Sequence, residues 1–195
     1  MVNKVLISDI NDINIIGGQI TSRVEAKSDD EKLGTIQVLV PKAIANGKIN
    51  HDDLGTLNYK TQLDPKKITK CGDIVIKLST PYDSCIITEE DEGLLVPSFC
   101  AIINNVPQDI LKEYMIAYLN STSCYMQIKT LITGSAIAIL STGQIKKIQL
   151  PIPAKNVQEE IAKCYIEGIE KIKLLEKISK LEKEYINSKF LEMED

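Results

Sequence analysis

The chain has 195 residues, 44% of them hydrophobic and 26% charged, with a formal net charge of −4. That composition excludes a disordered tail and a membrane-embedded bundle, and the acidic sign denies the chain the basic character of a stand-alone nucleic-acid binder. Charge is evenly divided, with 15 basic and 17 acidic side chains up to residue 150 and 8 and 10 beyond it, so any contact with a polyanion must use local patches.

The first residues reach Asp9 before a signal-peptide apolar run develops, and no stretch approaches the roughly 18 apolar residues of a membrane span, which predicts a cytoplasmic protein. Val5 to Ile20 mixes Ile and Val with Asn, Asp and Gly17-Gly18 and reads as short extended pieces joined by turns. Thr35 to Val40 alternates as a strand ended by Pro41, and a polar loop or ribbon with Asn46-Gly47 follows. The single histidine, His51, lies beside two acids, but without a second ligand or a nucleophile it makes a weak metal or catalytic case. Leu63 to Lys67 predicts a short helical turn, and Cys71-Gly72-Asp73 leads into Ile74 to Leu78, a β-branched run expected to be a core strand. Ser79 to Tyr82 is a polar loop. Cys85 to Thr88, an acidic turn, and Leu94 to Ile103 then form a hairpin-like pair. Apolar spacing predicts helices from about Gln108 to Asn120 and from Ser121 to Leu131, broken at Thr133-Gly134-Ser135, with a turn at Ser141 to Gln144. The lysines fall into two clusters, Lys66, Lys67, Lys70 and Lys77 in one and Lys146 and Lys147 in the other, while Arg23, Lys27 and Lys129 stand apart.

Leu150-Pro151-Ile152-Pro153 is an extended arm, because each proline fixes φ and keeps the residue before it out of the α region. Asn156 with Glu159 three residues later predicts a capped helix start. Beyond it Ile161, Tyr165, Ile169, Ile172, Leu175, Ile178, Leu181 and Tyr185 recur with a mean spacing near 3.4, close to the 3.5 of a supercoiled seam. Roughly 35 residues of helix would form a rod of about 50 Å. The alternative is an amphipathic helix folded back on its own domain, against which its length argues.

The five cysteines, Cys71, Cys85, Cys100, Cys124 and Cys164, are odd in number and form no C-x-x-C pair, so neither a disulfide framework nor a zinc site is indicated. No glycine-rich donor loop or carboxylate cluster points to methyl transfer or metal-assisted hydrolysis.

This order of signals resembles the specificity subunit of Type I restriction-modification systems, with one target-recognition domain followed by one helical region. The resemblance rests on Lys70-Cys71-Gly72-Asp73-Ile74-Val75-Ile76, on Gly134-Ser135 followed by Ile145-Lys146-Lys147-Ile148, and on Leu150-Pro151-Ile152-Pro153 with Gln158-Glu159-Glu160-Ile161. Gln158-Glu159 departs from the family's more usual Glu-Gln. The resemblance implies an α+β fold: a recognition domain over residues 1–153 with a small twisted β-sheet and short helices, then a long coiled-coil helix over 154–195. It implies a non-catalytic protein with no cofactor that reads double-stranded DNA, while methyltransferase subunits and, through them, a motor-nuclease subunit do the chemistry. Members usually carry two recognition domains and two helical regions, so this chain looks like a half-subunit. Its seam, Ile161 to Tyr185, would pair antiparallel with a second copy, giving a homodimer that reads a split, inverted-repeat site. At about 3.4 Å of rise per base pair the rod bounds the half-site separation near 15 base pairs. The expected readers are Ser79, Thr80, Tyr82, Thr133, Gly134 and Ser135, with Lys77 and Lys129 on phosphates. The rival reading is a helical adaptor that binds protein and dimerises through its tail, which the acidic balance favours.

Overall fold

The computed structural model of the chain describes residues 3–133 and 138–194. Strands β1 (Asn3–Leu6) and β2 (Asn14–Gly17) precede the short helix α1 (Thr21–Val24). Strands β3 (Gly34–Val38), β4 (Ile44–Ala45), β5 (Lys48–Ile49) and β6 (Gly55–Tyr59) follow, then β7 (Ile74–Lys77), β8 (Ser84–Ile86) and β9 (Cys100–Asn104). Helices α2 (Lys112–Leu119), α3 (Thr122–Ile132) and α4 (Thr142–Ile145), strand β10 (Gln149–Ile152) and the 40-residue helix α5 (Lys155–Glu194) complete the chain. The fold is α+β, a sheet-rich globular part followed by one long helix.

The globular part is organised around an antiparallel sheet in the order β2-β9-β7-β8. All four residues of β7 are buried, because alternate side chains enter two different cores. Ile74 and Ile76, with Ala101 and Ile103 of β9, meet Tyr114, Met115, Leu119, Cys124 and Ile128 of α2 and α3. Val75, with Cys100 and Ile102, faces Leu39, Ile44, Ile87, Leu94 and Val96 on the other side. A smaller apolar cluster joins Val38 and Leu57 of the β3–β6 ribbon to Val24 and Leu95.

The proline arm is a strand. β10 pairs antiparallel with β1, Leu150 opposite Val5 and Pro151 opposite Lys4, and proline is tolerated in such a two-stranded edge. Its carbonyls are also held from α2, where Tyr114 donates to Pro151 O at 2.6 Å and Tyr118 to Gln149 O at 2.8 Å. Burial pushes the Tyr118 phenol up to about 12, which keeps it a neutral donor.

Several boundaries differ from those expected of the sequence. Leu94 to Ile103 is not one strand: a turn at Pro97, closed by Cys100 N–H donating to Pro97 O at 2.9 Å, leaves only its second half in the sheet. α2 begins at Lys112 instead of Gln108, because the backbone turns at Pro107 to Ile110 and the Leu111 N–H is taken by the Gln158 side chain. Ser141 to Gln144 starts the helix α4, with a reciprocal cap in which Ser141 Oγ accepts from Gln144 N and Gln144 Oε1 accepts from Ser141 N.

The start of α5 also corrects the expected cap. The helix begins at Lys155, which puts Asn156 inside its first turn, and Gln158 does the tying instead of Glu159. Gln158 is 2% exposed. Its Oε1 accepts from Leu111 N at 2.9 Å, and its Nε2 donates to Asp109 O at 3.1 Å and Pro153 O at 3.0 Å. All 40 residues make a rod of about 60 Å, longer than the sequence estimate.

Candidate nucleic-acid interface

β7 runs out into Ser79 to Asp83, and the chain beyond α3 returns beside it. Leu140 N–H donates to Leu78 O at 2.7 Å and Tyr82 Oη donates to Ala138 O at 3.0 Å, so residues 138–140 lie beside the loop that leaves β7. Thr80, Lys129 and Thr133 are exposed there, and Ser79 is half-buried. The Lys129 ammonium lies 5.6 Å from the centroid of the Tyr125 ring, which in turn sits 6.1 Å from the Tyr82 ring. A shallow cavity of about 310 Å³ opens between the loop and the α2–α3 corner, lined by Thr80, Pro81, Asp83, Asn120, Thr122 and Tyr125. The exposed hydroxyls of Thr80 and Thr122 and the exposed Lys129 ammonium are of the kinds that read base edges and hold phosphates, whereas the Asn120 amide is taken up by Ser84 and Tyr165.

Two of the expected readers are not placed for that work. Lys77 belongs to the doubly covered central strand and is 6% exposed; its ammonium pairs with Asp83 at 2.6 Å and donates to Ile44 O at 3.0 Å. It holds the loop's exit instead of facing solvent. Tyr82 is 2% exposed, with its ring in the apolar core and its hydroxyl already used on Ala138. Gly134 and Ser135 lie outside the described residues.

The sequence separated Lys66 from Lys146 by 80 positions, yet they line one cleft of about 380 Å³ along the β2 edge with Asn14, Asn104 and Asn105. Asn104 Oδ1 is buried there without a hydrogen-bond partner among the described residues. Two cations on one cleft suit a ligand carrying phosphate, and only the three-dimensional fold reveals the convergence.

Other chemistry-bearing side chains have structural roles. His51 Nε2 lies 2.8 Å from Asp91 Oδ1, and Asp91 also caps Thr88. Burial pushes the Cys100 and Cys124 thiols up to about 12 each and raises Cys85 as well, which keeps them protonated. Among the described residues no group of three or more His, Cys, Asp or Glu side chains is arranged to hold a metal ion, and no helix is long and apolar enough to cross a membrane.

The expected seam divides into two stretches. Ile161, its first member, is exposed beside a buried Ala162, while Tyr165 and Ile169 are half-buried against the β4–β5 hairpin of the same chain. From Ile172 onward Leu175, Ile178, Leu181 and Tyr185 are each about half or more exposed, as is Ile172.

The model of the Type I restriction modification DNA specificity domain matches residues 3–183. No curated protein matches the chain. Among solved structures, a chain from work on complex assembly and conformational transition of the type I R-M system superposes with a TM-score of 0.60 at 12% identity, covering 93% of this chain and 42% of that one. The HsdS subunit from Thermoanaerobacter tengcongensis gives 0.59 at 12% identity, covering 94% and 47%. The Type-I restriction-modification system S subunit from M. genitalium gives 0.50 at 12% identity, covering 92% and 42%. The chain thus spans less than half the length of each, and at this identity the likeness is one of fold. With the family model spanning both the globular part and most of α5, the chain belongs to the Type I restriction modification DNA specificity family.

Proposed function

We propose that this chain is the DNA-reading, non-catalytic specificity component of a Type I restriction-modification assembly in the cytoplasm. In this reading residues 1–153 recognise one half of a bipartite site, and 154–195 serve as spacer and pairing helix. Methyltransferase subunits dock on the pair and supply the chemistry, and a motor-nuclease subunit joins through them. The observation that carries the reading is the family match over residues 3–183. The open face with Thr80, Lys129 and Thr133, and the Lys66–Lys146 cleft, support it as the places where a duplex would be touched.

The pairing helix uses Ile172, Leu175, Ile178, Leu181 and Tyr185. Leaving such side chains in water costs roughly 1.5 to 3 kcal/mol each relative to full burial, which favours a partner along this stretch. A second copy laid antiparallel answers it with two-fold symmetry and puts the two reading domains at opposite ends of a spacer. A net charge of −4 favours the rival adaptor reading, since it leaves little non-specific attraction for DNA.

Filter binding with and without the methyltransferase subunit decides between them. Weak binding by the chain alone, and salt-dependent, sequence-selective binding by the assembly, is the expected result. No salt-dependent affinity in the assembly would favour the adaptor, and nanomolar specific binding by the chain alone at physiological salt would contradict the need for a partner.

A further inference from the structure

The β4–β5 hairpin is a two-residue turn with Asn46 at φ 51° and Gly47 at φ 75°, the left-handed pair that Asn-Gly adopts in a type I′ turn. Asn46 is exposed, but Gly47 is half-buried on the helix side. A Cβ on Gly47 would stand 2.7 Å from Tyr165 Oη and 3.0 Å from Ile169 Cδ1, so the backbone of the hairpin rests directly on α5. From the other side Asn120 Nδ2 donates to Tyr165 Oη at 2.6 Å. Asn120 is itself fixed, since its Oδ1 accepts from Ser84 N and Oγ and its Nδ2 also donates to Ser84 O at the sheet edge. Lys48 and Glu170 add an ion pair at 3.8 Å, but both are half or more exposed and such pairs contribute little. Burial raises the Tyr165 phenol above its usual range, in keeping with a neutral hydroxyl enclosed between hairpin and helix corner.

The helix is therefore held at two levels. Gln158 pins its first turn, and Tyr165 is gripped about two turns further on, roughly 10 Å along the axis. One attachment would leave α5 free to pivot. Two attachments at different heights fix its direction relative to the sheet. We infer that the Asn120–Tyr165–Gly47 contact is a brace that sets the angle between the globular part and α5, making these three positioning residues for the distance between the two half-sites. This rests on the paired, split-site reading proposed above. The lever is long: about 29 residues, or about 40 Å, of helix lie beyond Tyr165, so a tilt of about 10° at the brace displaces the far end by about 7 Å. That displacement is sideways to the rod and on the scale of about two base-pair steps, enough to turn one reading domain away from the duplex that fits its partner at a given spacing.

The test measures the angle first and the DNA second. Spin labels on the exposed Cys71 and on Lys177→Cys, in a Cys164→Ser background and diluted with unlabelled chain, report the distance from sheet to helix by pulsed electron resonance. Gly47→Asn keeps a residue that tolerates the left-handed turn but drives a side chain into Tyr165. Tyr165→Phe keeps the ring and removes only the bond to Asn120, and it carries the test if Gly47→Asn proves unstable. The expected results are a shifted distance in Gly47→Asn and a broadened one in Tyr165→Phe. In the methyltransferase-containing assembly the preferred half-site spacing should shift in the first and relax in the second, while half-site sequence preference stays unchanged. Wild-type distances in both variants would overturn the brace, as would a uniform loss of affinity at every spacing. If the wild-type assembly ignores spacing, the paired split-site reading fails and the brace loses its role in DNA selection, and the label distances alone then decide whether it orients the helix.

Discussion

The first turns of α5 and its distal turns carry the same kind of apolar repeat and meet opposite fates. Between Gln158 and Ile169 the chain answers the repeat at Tyr165 and Ile169, with a buried amide at Gln158 and a buried Ala162 beside them, while Ile161 stays exposed. From Ile172 to Leu191 the side chains of Leu174, Leu175, Ile178, Leu181, Tyr185 and Phe190 are all more than half exposed. Periodicity alone states that a face wants burial and is silent on who supplies it. The globular part supplies it only as far as its hairpin reaches, and the apolar face of the remaining rod stays exposed.

Breaking the proximal half should have the largest effect. Gln158→Ala removes a side chain that satisfies Leu111 N–H and the carbonyls of Asp109 and Pro153, and leaving such groups unmet should cost about 3 kcal/mol, read as a lowered denaturant midpoint. A midpoint equal to wild type would mean that the helix start is held by packing alone. In the distal half Leu175→Glu places a charge in the proposed pairing face and should weaken self-association by about 2 kcal/mol, while stability of the globular part stays within about 0.5 kcal/mol. Sedimentation equilibrium at tens of micromolar reads the first and chemical denaturation the second. A Leu175→Glu chain that still dimerises would move the pairing face elsewhere.

The smallest effect sharpens the contrast between sheet and rod. Desolvation at the entrance to β7 holds the Asp73 carboxyl above the 3.8 of a free aspartate, partly offset by the hydrogen bond from Lys70 N–H. The folded chain thus keeps this proton more tightly than the unfolded chain. Its stabilising contribution is fully present below pH 3.8 and is lost as pH rises through the folded value. Asp73→Asn removes that dependence, so its stability relative to wild type should improve as pH rises out of the acid range, with no change in self-association. A constant difference across the titration would show that Asp73 titrates normally.

Much of this architecture is legible in the residues. β-branched Ile74 to Ile76, the proline arm and the long helix all appear where local chemistry is strong, since β-branching, fixed φ and 3.5-residue spacing act over neighbours in sequence. What the sequence hides is set by contacts distant along the chain. Lys77 reads as a surface cation until the sheet covers it and Asp83 claims it, and Tyr82 reads as a polar-tipped loop residue until its ring enters the core. Lys66 and Lys146 look unrelated until the fold seats them on one cleft. Gln158 looks like a departure from a motif, and its burial against Asp109 to Leu111 is a tertiary fact.

The central claim is that two copies of this chain, joined through the distal half of α5, read a two-part DNA site for a methyltransferase assembly. Selection of bound duplexes from a randomised DNA library by the reconstituted chain–methyltransferase complex tests it directly. The account predicts enrichment of an inverted repeat whose halves are separated by a fixed spacer of no more than about 18 base pairs, the bound set by a rod of about 60 Å. Enrichment of a single unrepeated motif, or of no motif at all, would contradict it.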